Sequence, residues 1–273
     1  MNRFHNRTEN ANITPMLKQQ EYSDASYADP ALVHAVTSDD PLTQYIISWR
    51  IRETLRRIQR HIGDGNLDAE TSILFTCAGD GGEASVCANL GYSNVTFSDV
   101  SRVGVDAGLR RDPRLKGFSM DAQNLDLPDN SYDVVIIQDG LHHLSSPVQG
   151  FTEAIRVARI AAAFIEPNNS LIGKLIGKTW ETNGDAVNYV FRWTKYLVQD
   201  IGSSYLGPDA FDNLSFSYWH HNIVYAKLGK IVGGGRPGLI LIGLLKFVLD
   251  HAMPLRGNAL TGIIIKRNNN RPN

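Results

Sequence analysis

Apolar and polar positions along this chain fall into two periods. From residue 42 to residue 62 apolar side chains recur at roughly helical spacing: Leu42, Tyr45, Ile46, Trp49, Ile51, Leu55 and Ile58. Arg50, Arg52, Glu53, Arg56 and Arg57 fall largely elsewhere, as the solvated face of an amphipathic helix would. Asp39-Asp40-Pro41 supplies its start, with proline at an early helical position. The first 40 residues are polar and irregular and read as an extended arm. After the loop Gly63-Asp64-Gly65-Asn66, short apolar runs alternate with helical stretches. Strands are expected at 72–77, 94–98, 118–120, 132–138 and 161–165, with helices at 82–90, 103–111 and 147–158. Strands separated by helices of this length imply a parallel sheet.

Past Asn168 the rhythm changes. Residues 169–235 are dense in aromatics, among them Trp180, Tyr189, Phe191, Trp193, Tyr205, Phe211, Tyr218 and Trp219, and read as a cap with one or two strands inside. Residues 238–249 are nearly all apolar except Lys246. That run is too short to span a bilayer and reads as a buried helix or a contact between copies in a homo-oligomer. Residues 259–265 form a closing strand before a polar tail. The expected fold is α/β, a Rossmann-like doubly wound and mostly parallel sheet. An arm and helix occupy 1–68, the core 69–168, the cap 169–256, and the closing strand and tail 257–273.

With 273 residues and a net charge of −1, nothing in the global electrostatics favours nucleic acid or an anionic membrane as partner. No apolar core follows the polar N-terminal residues, so no secretory signal is expected and the cytoplasm is the expected compartment. Cys77 and Cys87 read as two reduced, buried thiols, one at a strand end and one inside the next helix.

The chemistry centres on Ile73-Leu74-Phe75-Thr76-Cys77-Ala78-Gly79-Asp80-Gly81-Gly82-Glu83-Ala84. A buried strand breaks into a glycine turn that opens a helix. In doubly wound sheets ligands sit beside such a turn, outside the carboxyl ends of the strands. The turn alone also fits a relaxed dinucleotide fingerprint, Gly79-x-Gly81-x-x-Ala84, and Asp99 stands at about the right distance for a dinucleotide ribose.

The succession that follows resembles the class I S-adenosylmethionine-dependent methyltransferases, in particular the small-molecule branch with quinone- and glycan-modifying members, over about 73–168. The residues that carry the resemblance are Gly79 and Gly81, Asp99 after the second strand, and Asp121-Ala122 after the third. With them go Leu127-Pro128-Asp129-Asn130-Ser131-Tyr132-Asp133, Leu141-His142-His143-Leu144, and Glu166-Pro167-Asn168. A dehydrogenase has no need of Asp121-Ala122 together with Leu-His-His-Leu. The resemblance implies S-adenosylmethionine as cofactor. Gly79, Asp80 and Gly81 would lie at its methionine end, Asp99 with Val100 at the ribose, Asp121 and Ala122 at the adenine, and Gln138 at the end of the fourth strand. It implies His142 as a base facing the substrate and His143 as structural, with Glu166 as a further catalytic candidate. Two departures stand out. Phe75 replaces the usual acid and Cys77 the usual glycine, so Asp80 is expected to substitute at the methionine ammonium. Asp139, Glu166, Asn168 and Asn169 have no diagnostic metal-ligand spacing, so no metal is expected.

The expected function is methyl transfer to a hydroxyl of a small molecule or sugar precursor. Carbon or nitrogen methylation of a small, lipophilic acceptor is the alternative enzyme, and a catalytically idle cofactor-binding or assembly protein the alternative of another class.

Overall fold

The computed structural model describes residues 5–28, 41–63, 67–183, 186–220, 231, 236–252 and 257–267. The sequence expectations for 1–4, 29–40, 64–66, 184–185, 221–230, 232–235, 253–256 and the tail from 268 lie outside them. The chain runs α1 (His5–Ala28), α2 (Pro41–Ile62), β1 (Ile73–Thr76), α3 (Gly82–Asn89), β2 (Val95–Asp99), α4 (Arg102–Arg111), β3 (Lys116–Ser119) and β4 (Tyr132–Gln138). A 3-10 turn (Leu141–His143), α5 (Pro147–Val157), β5 (Ala158–Pro167), α6 (Leu171–Ile176), β6 (Trp180–Asn183) and β7 (Ala186–Tyr189) follow. The chain closes with α7 (Lys195–Leu206), β8 (Phe211–Asn213), β9 (Phe216–Tyr218), α8 (Arg236–Ala252) and β10 (Ala259–Lys266).

The main sheet has the order β3-β2-β1-β4-β5-β10-β8, with β9 also paired to β10. β1 to β5 are mutually parallel, with β1 between β2 and β4, and β10 closes the sheet antiparallel to β5. The order reverses at β1, which opens a crevice beyond the carboxyl ends of β1 and β4. The central strands are apolar throughout because helices cover both faces. Ile51, Leu55 and Ile58 of α2 pack on one side with Phe75, Phe97 and Ile136. Phe151, Ile155, Phe164 and Trp193 pack on the other with Leu74 and Ile137.

Three expectations change. The N-terminal arm is a helix over most of its length. α1 carries no apolar stripe, so periodicity could not reveal it. Polar contacts dock it instead: Ser101 Oγ donates to Asp24 Oδ1 at 2.5 Å, and Asn188 Nδ2 to Gln19 Oε1 at 2.8 Å. The presumed cap divides: among the described residues the β6–β7 hairpin stands over the strand ends, while β8 and β9 join the main sheet and α7 packs on it. Its aromatics divide likewise: Trp193 is fully buried against Phe164 (ring centroids 4.4 Å apart), whereas Trp180 and Tyr189 are exposed. Finally, α8 is not a buried helix. Ile240, Leu241, Leu244, Phe247 and Val248 are exposed; Ile242 is buried, and so is Lys246, whose ammonium lies 3.5 Å from the Trp49 ring centroid and 2.5 Å from Asp250. No helix among the described residues is long and apolar enough to cross a membrane.

Candidate functional site

The turn after β1 is built by backbone conformation. Cys77, Gly79 and Gly81 have φ of 54°, 54° and 70°, in the left-handed region that side-chain-bearing residues avoid. A side chain at Gly79 would run into the Tyr27 hydroxyl, and one at Gly81 into the Phe97 ring. Cys77 adopts this conformation despite its side chain, where a glycine would sit without strain. Asp99 fastens the turn. Its Oδ2 accepts from Gly79 N at 2.8 Å and its Oδ1 from Ser101 N at 2.9 Å, and Ser101 in turn caps α4.

A cavity of about 510 Å³ opens over this turn, within the range usual for small-molecule sites. Of the residues singled out from the sequence, Gly79, Asp80, Asp99, Val100, Asp121, Ala122 and Gln138 line it together, drawn from four strand ends. Gly81 does not line it, because it points at Phe97 and serves the turn. Asp80 lines the wall with its carboxylate already paired to Arg111, which also donates to the Asp80 carbonyl at 2.6 Å. It is therefore not the free acid expected for an ammonium. Burial raises the Asp99 carboxyl above the ordinary range, against the two backbone bonds that favour its charge.

The two catalytic candidates change places with a neighbour. His142 and Glu166 lie behind the wall, and His143 lines the cavity. Glu166 is almost fully buried; it accepts from Leu141 N at 2.6 Å, and its Oε2 lies 2.6 Å from His142 Nδ1. His142 Nε2 faces Glu181 Oε2 at 3.3 Å, so both nitrogens of that ring are engaged. Burial would lower the His142 pKa, but the Glu166 charge and the contacts to both carboxylates outweigh it and raise it to about 10. A ring that keeps its proton at pH 7 is not a general base. His143 is its opposite: burial and the charge of His142 lower it to about 4, so it is neutral at pH 7. Asp139, Glu166, Asn168 and Asn169 do not converge, since Asp139 pairs with Arg50 at 2.7 Å and Asn168 Nδ2 donates to Gly257 O at 2.7 Å.

Sequence reasoning gave no site role to Tyr27, Arg50, Glu83 and Glu181, which lie on this wall, and weighed Asp139 only as a metal ligand. Arg50 reads as part of a solvated basic face, yet it is 3% exposed and reaches Asp139 under the cavity. Glu83 reads as an ordinary acid in the first turn of a helix. It is buried and accepts from Gln138 Nε2 at 3.1 Å, and burial pushes its carboxyl up to about 7, partly countered by a backbone hydrogen bond and the Arg50 charge. It therefore offers at the β1–α3 turn the acid that Phe75 does not. Phe75, at the expected place, is buried in the core. The available signal was Gly81-Gly82-Glu83 itself, an acid one residue inside a helix that opens on a ligand crevice.

Residues 76–165 match the family described as a methyltransferase domain. A segment of 111 residues is 35% identical to a demethylmenaquinone methyltransferase of Beutenbergia cavernae, covering 41% of this chain and 42% of that protein. The match thus spans about two fifths of that relative. Among solved structures, the [4+2]-cyclase SpnF is similar with a TM-score of 0.56 at 16% identity, over 93% of this chain and 94% of that one. Magnesium protoporphyrin IX methyltransferase from Synechocystis PCC 6803, with bound S-adenosylhomocysteine, has a TM-score of 0.54 at 12% identity, over 93% and 100%. At such identities the structural likeness concerns the fold.

Proposed function

We propose that this chain, whose residues 76–165 match a methyltransferase domain, is a class I S-adenosylmethionine-dependent methyltransferase that methylates a hydroxyl of a small molecule with S-adenosylmethionine as donor. One observation supports this above the others. Asp99, Asp121, Ala122 and Gly79, singled out by resemblance along 44 residues of sequence, face a single cavity at the point where the sheet order reverses. The donor set fits the cofactor chemically. Asp99 keeps a lone pair on each oxygen beyond those given to Gly79 and Ser101, which suits the two ribose hydroxyls. Asp121 is an acceptor for the adenine amine. Glu83, once ionised, would take the methionine ammonium. The space that a side chain at Gly79 would need is taken by the Tyr27 hydroxyl.

When bound, S-adenosylmethionine supplies an electrophilic methyl group, and the electron pair of the broken carbon–sulfur bond stays on sulfur. The protein's share is to position the acceptor in line and to exclude water. α1 and the β6–β7 hairpin do the excluding: Gln19, Tyr22, Ser23, Ser26 and Tyr27 from one, and Glu181 from the other, form the outer wall. The acceptor would enter at the end bounded by His143 and Glu181, where the wall carries groups able to deal with a hydroxyl proton. The test is release of S-adenosylhomocysteine against a panel of phenols, sugars and amines, with demethylmenaquinone included because a relative bears that name. Turnover confined to carbon or nitrogen acceptors would refute the hydroxyl assignment.

A further inference from the structure

We propose that His142, His143 and Glu181 bind one divalent transition-metal ion at the acceptor end of the cavity, with Glu166 as the outer partner that orients His142. One ligand atom from each of the three residues lies within 4.8 Å of the others. The His142 Nε2 to Glu181 Oε2 separation is 3.3 Å. Two ligands held tetrahedrally at about 2.0–2.1 Å from an ion stand roughly 3.3 Å apart, so this pair already has the required spacing. The two imidazoles stand side by side on one 3-10 turn, with ring centroids 4.2 Å apart. To close the set, no separation has to shorten by more than about 1.5 Å, a movement open to His143 and Glu181 on the cavity wall.

Glu166 supplies an independent indication. A histidine that ligates a metal through one nitrogen usually gives its other N–H to a carboxylate, which fixes the tautomer and the ring plane. His142 Nδ1 lies 2.6 Å from Glu166 Oε2, and Glu166 is itself held by Leu141 N. That arrangement turns His142 Nε2 toward a second carboxylate, and an ion bound there takes the place of the Nε2 proton, which is released on binding. Two imidazoles and one carboxylate suit zinc and its neighbours better than magnesium or calcium, which prefer all-oxygen sets. His143 and Glu181 face the cavity, so a fourth coordination position would open onto it, as in zinc sites that act on substrates. The use of that position to hold an acceptor oxygen and ease its deprotonation rests on the methyl-transfer reading; the binding of the ion does not.

The experiment is calorimetric titration of the full chain, stripped with chelator and desalted, with zinc chloride alone. A parallel cobalt(II) titration followed by visible absorption reports ligand type and geometry. The expected result is one equivalent of zinc bound at micromolar affinity or tighter, with tetrahedral cobalt bands. H143A and E181Q should abolish binding, E166Q should weaken it by roughly 10–100-fold, and H251A, at an exposed histidine, should leave it unchanged. The far-ultraviolet circular dichroism of each variant reports its folding, and the cobalt spectrum of the intact protein needs no variant. Failure to bind zinc, an octahedral cobalt spectrum, or affinity unchanged in both folded variants would overturn the site. S-adenosylmethionine binding by zinc-free protein would then leave the methyl-transfer reading standing. Zinc binding without turnover on any acceptor would keep the site and remove that reading.

Discussion

Cofactor binding should depend on pH if Glu83 takes the methionine ammonium. Its carboxyl is pushed up to about 7 because burial costs the charged form more than a backbone hydrogen bond and the Arg50 charge return, with Asp139 and Asp80 adding repulsion. If Glu83 takes the methionine ammonium, only its ionised form binds well, and below pH 7 a proton must leave for each cofactor bound. Affinity should then fall by up to tenfold per pH unit, about 1.4 kcal/mol, as pH drops from 6.5 to 5. Above about pH 7.5 the α-amino group of the ligand begins to lose its own proton, so the informative window lies below. The assay is calorimetric titration with S-adenosylhomocysteine at pH 5.0, 5.5, 6.0 and 6.5. Two buffers of different ionisation enthalpy then read the released proton directly. Glu83→Gln keeps the shape and the Gln138 contact but cannot ionise. It should bind more weakly at pH 6.5, with a pH dependence flatter than wild type by one proton. Wild-type affinity that stays constant over this window, or a variant that keeps the same slope, would refute the role given to Glu83.

Other perturbations test separate links. Asp99→Ala should weaken S-adenosylmethionine binding by about 1.5–3 kcal/mol, the usual value of hydrogen bonds to a charged group; unchanged affinity in a folded variant would sink the ribose assignment. Cys77→Gly relieves a left-handed residue worth about 1–2 kcal/mol at an entropic cost of about 0.5–1 kcal/mol. Urea denaturation should show equal or slightly higher stability, and a loss beyond about 1 kcal/mol would mean that the side chain matters more than the strain. Trp193→Ala empties a fully buried site against Phe151, Phe164 and Phe191, so denaturant unfolding should show a loss of about 3–5 kcal/mol. A loss below about 1 kcal/mol would contradict the packing described.

The sheet was legible because β1, β2, β4 and β5 are short, mostly apolar buried runs with turn residues between them, a pattern that burial on both faces imposes, whereas β3 at the sheet edge is largely exposed. The adenosine end of the candidate site was legible for a related reason: Asp99 ends β2 and Asp121 lies two residues past the end of β3, where chain geometry brings a side chain to the crevice. Arg50, Glu83 and Glu181 were not. Each lies on an element whose local pattern has a simpler explanation, a basic helix face, a helix N-terminus and an aromatic hairpin, and only tertiary packing brings them together. His142 and His143 show the limit most sharply. Adjacent residues on one turn point in different directions, and which of them meets the cavity depends on Glu166, 24 residues on from His142. α1 was invisible because Asp24–Ser101, Gln19–Asn188 and the packing of Tyr27 on glycines leave no periodic trace in its sequence.

The most direct test of the central claim is calorimetric titration of the purified chain with S-adenosylmethionine, with NADH in parallel. The site described predicts micromolar, one-to-one binding of the first and none of the second. Binding of NADH alone would contradict the cofactor assignment that the account rests on.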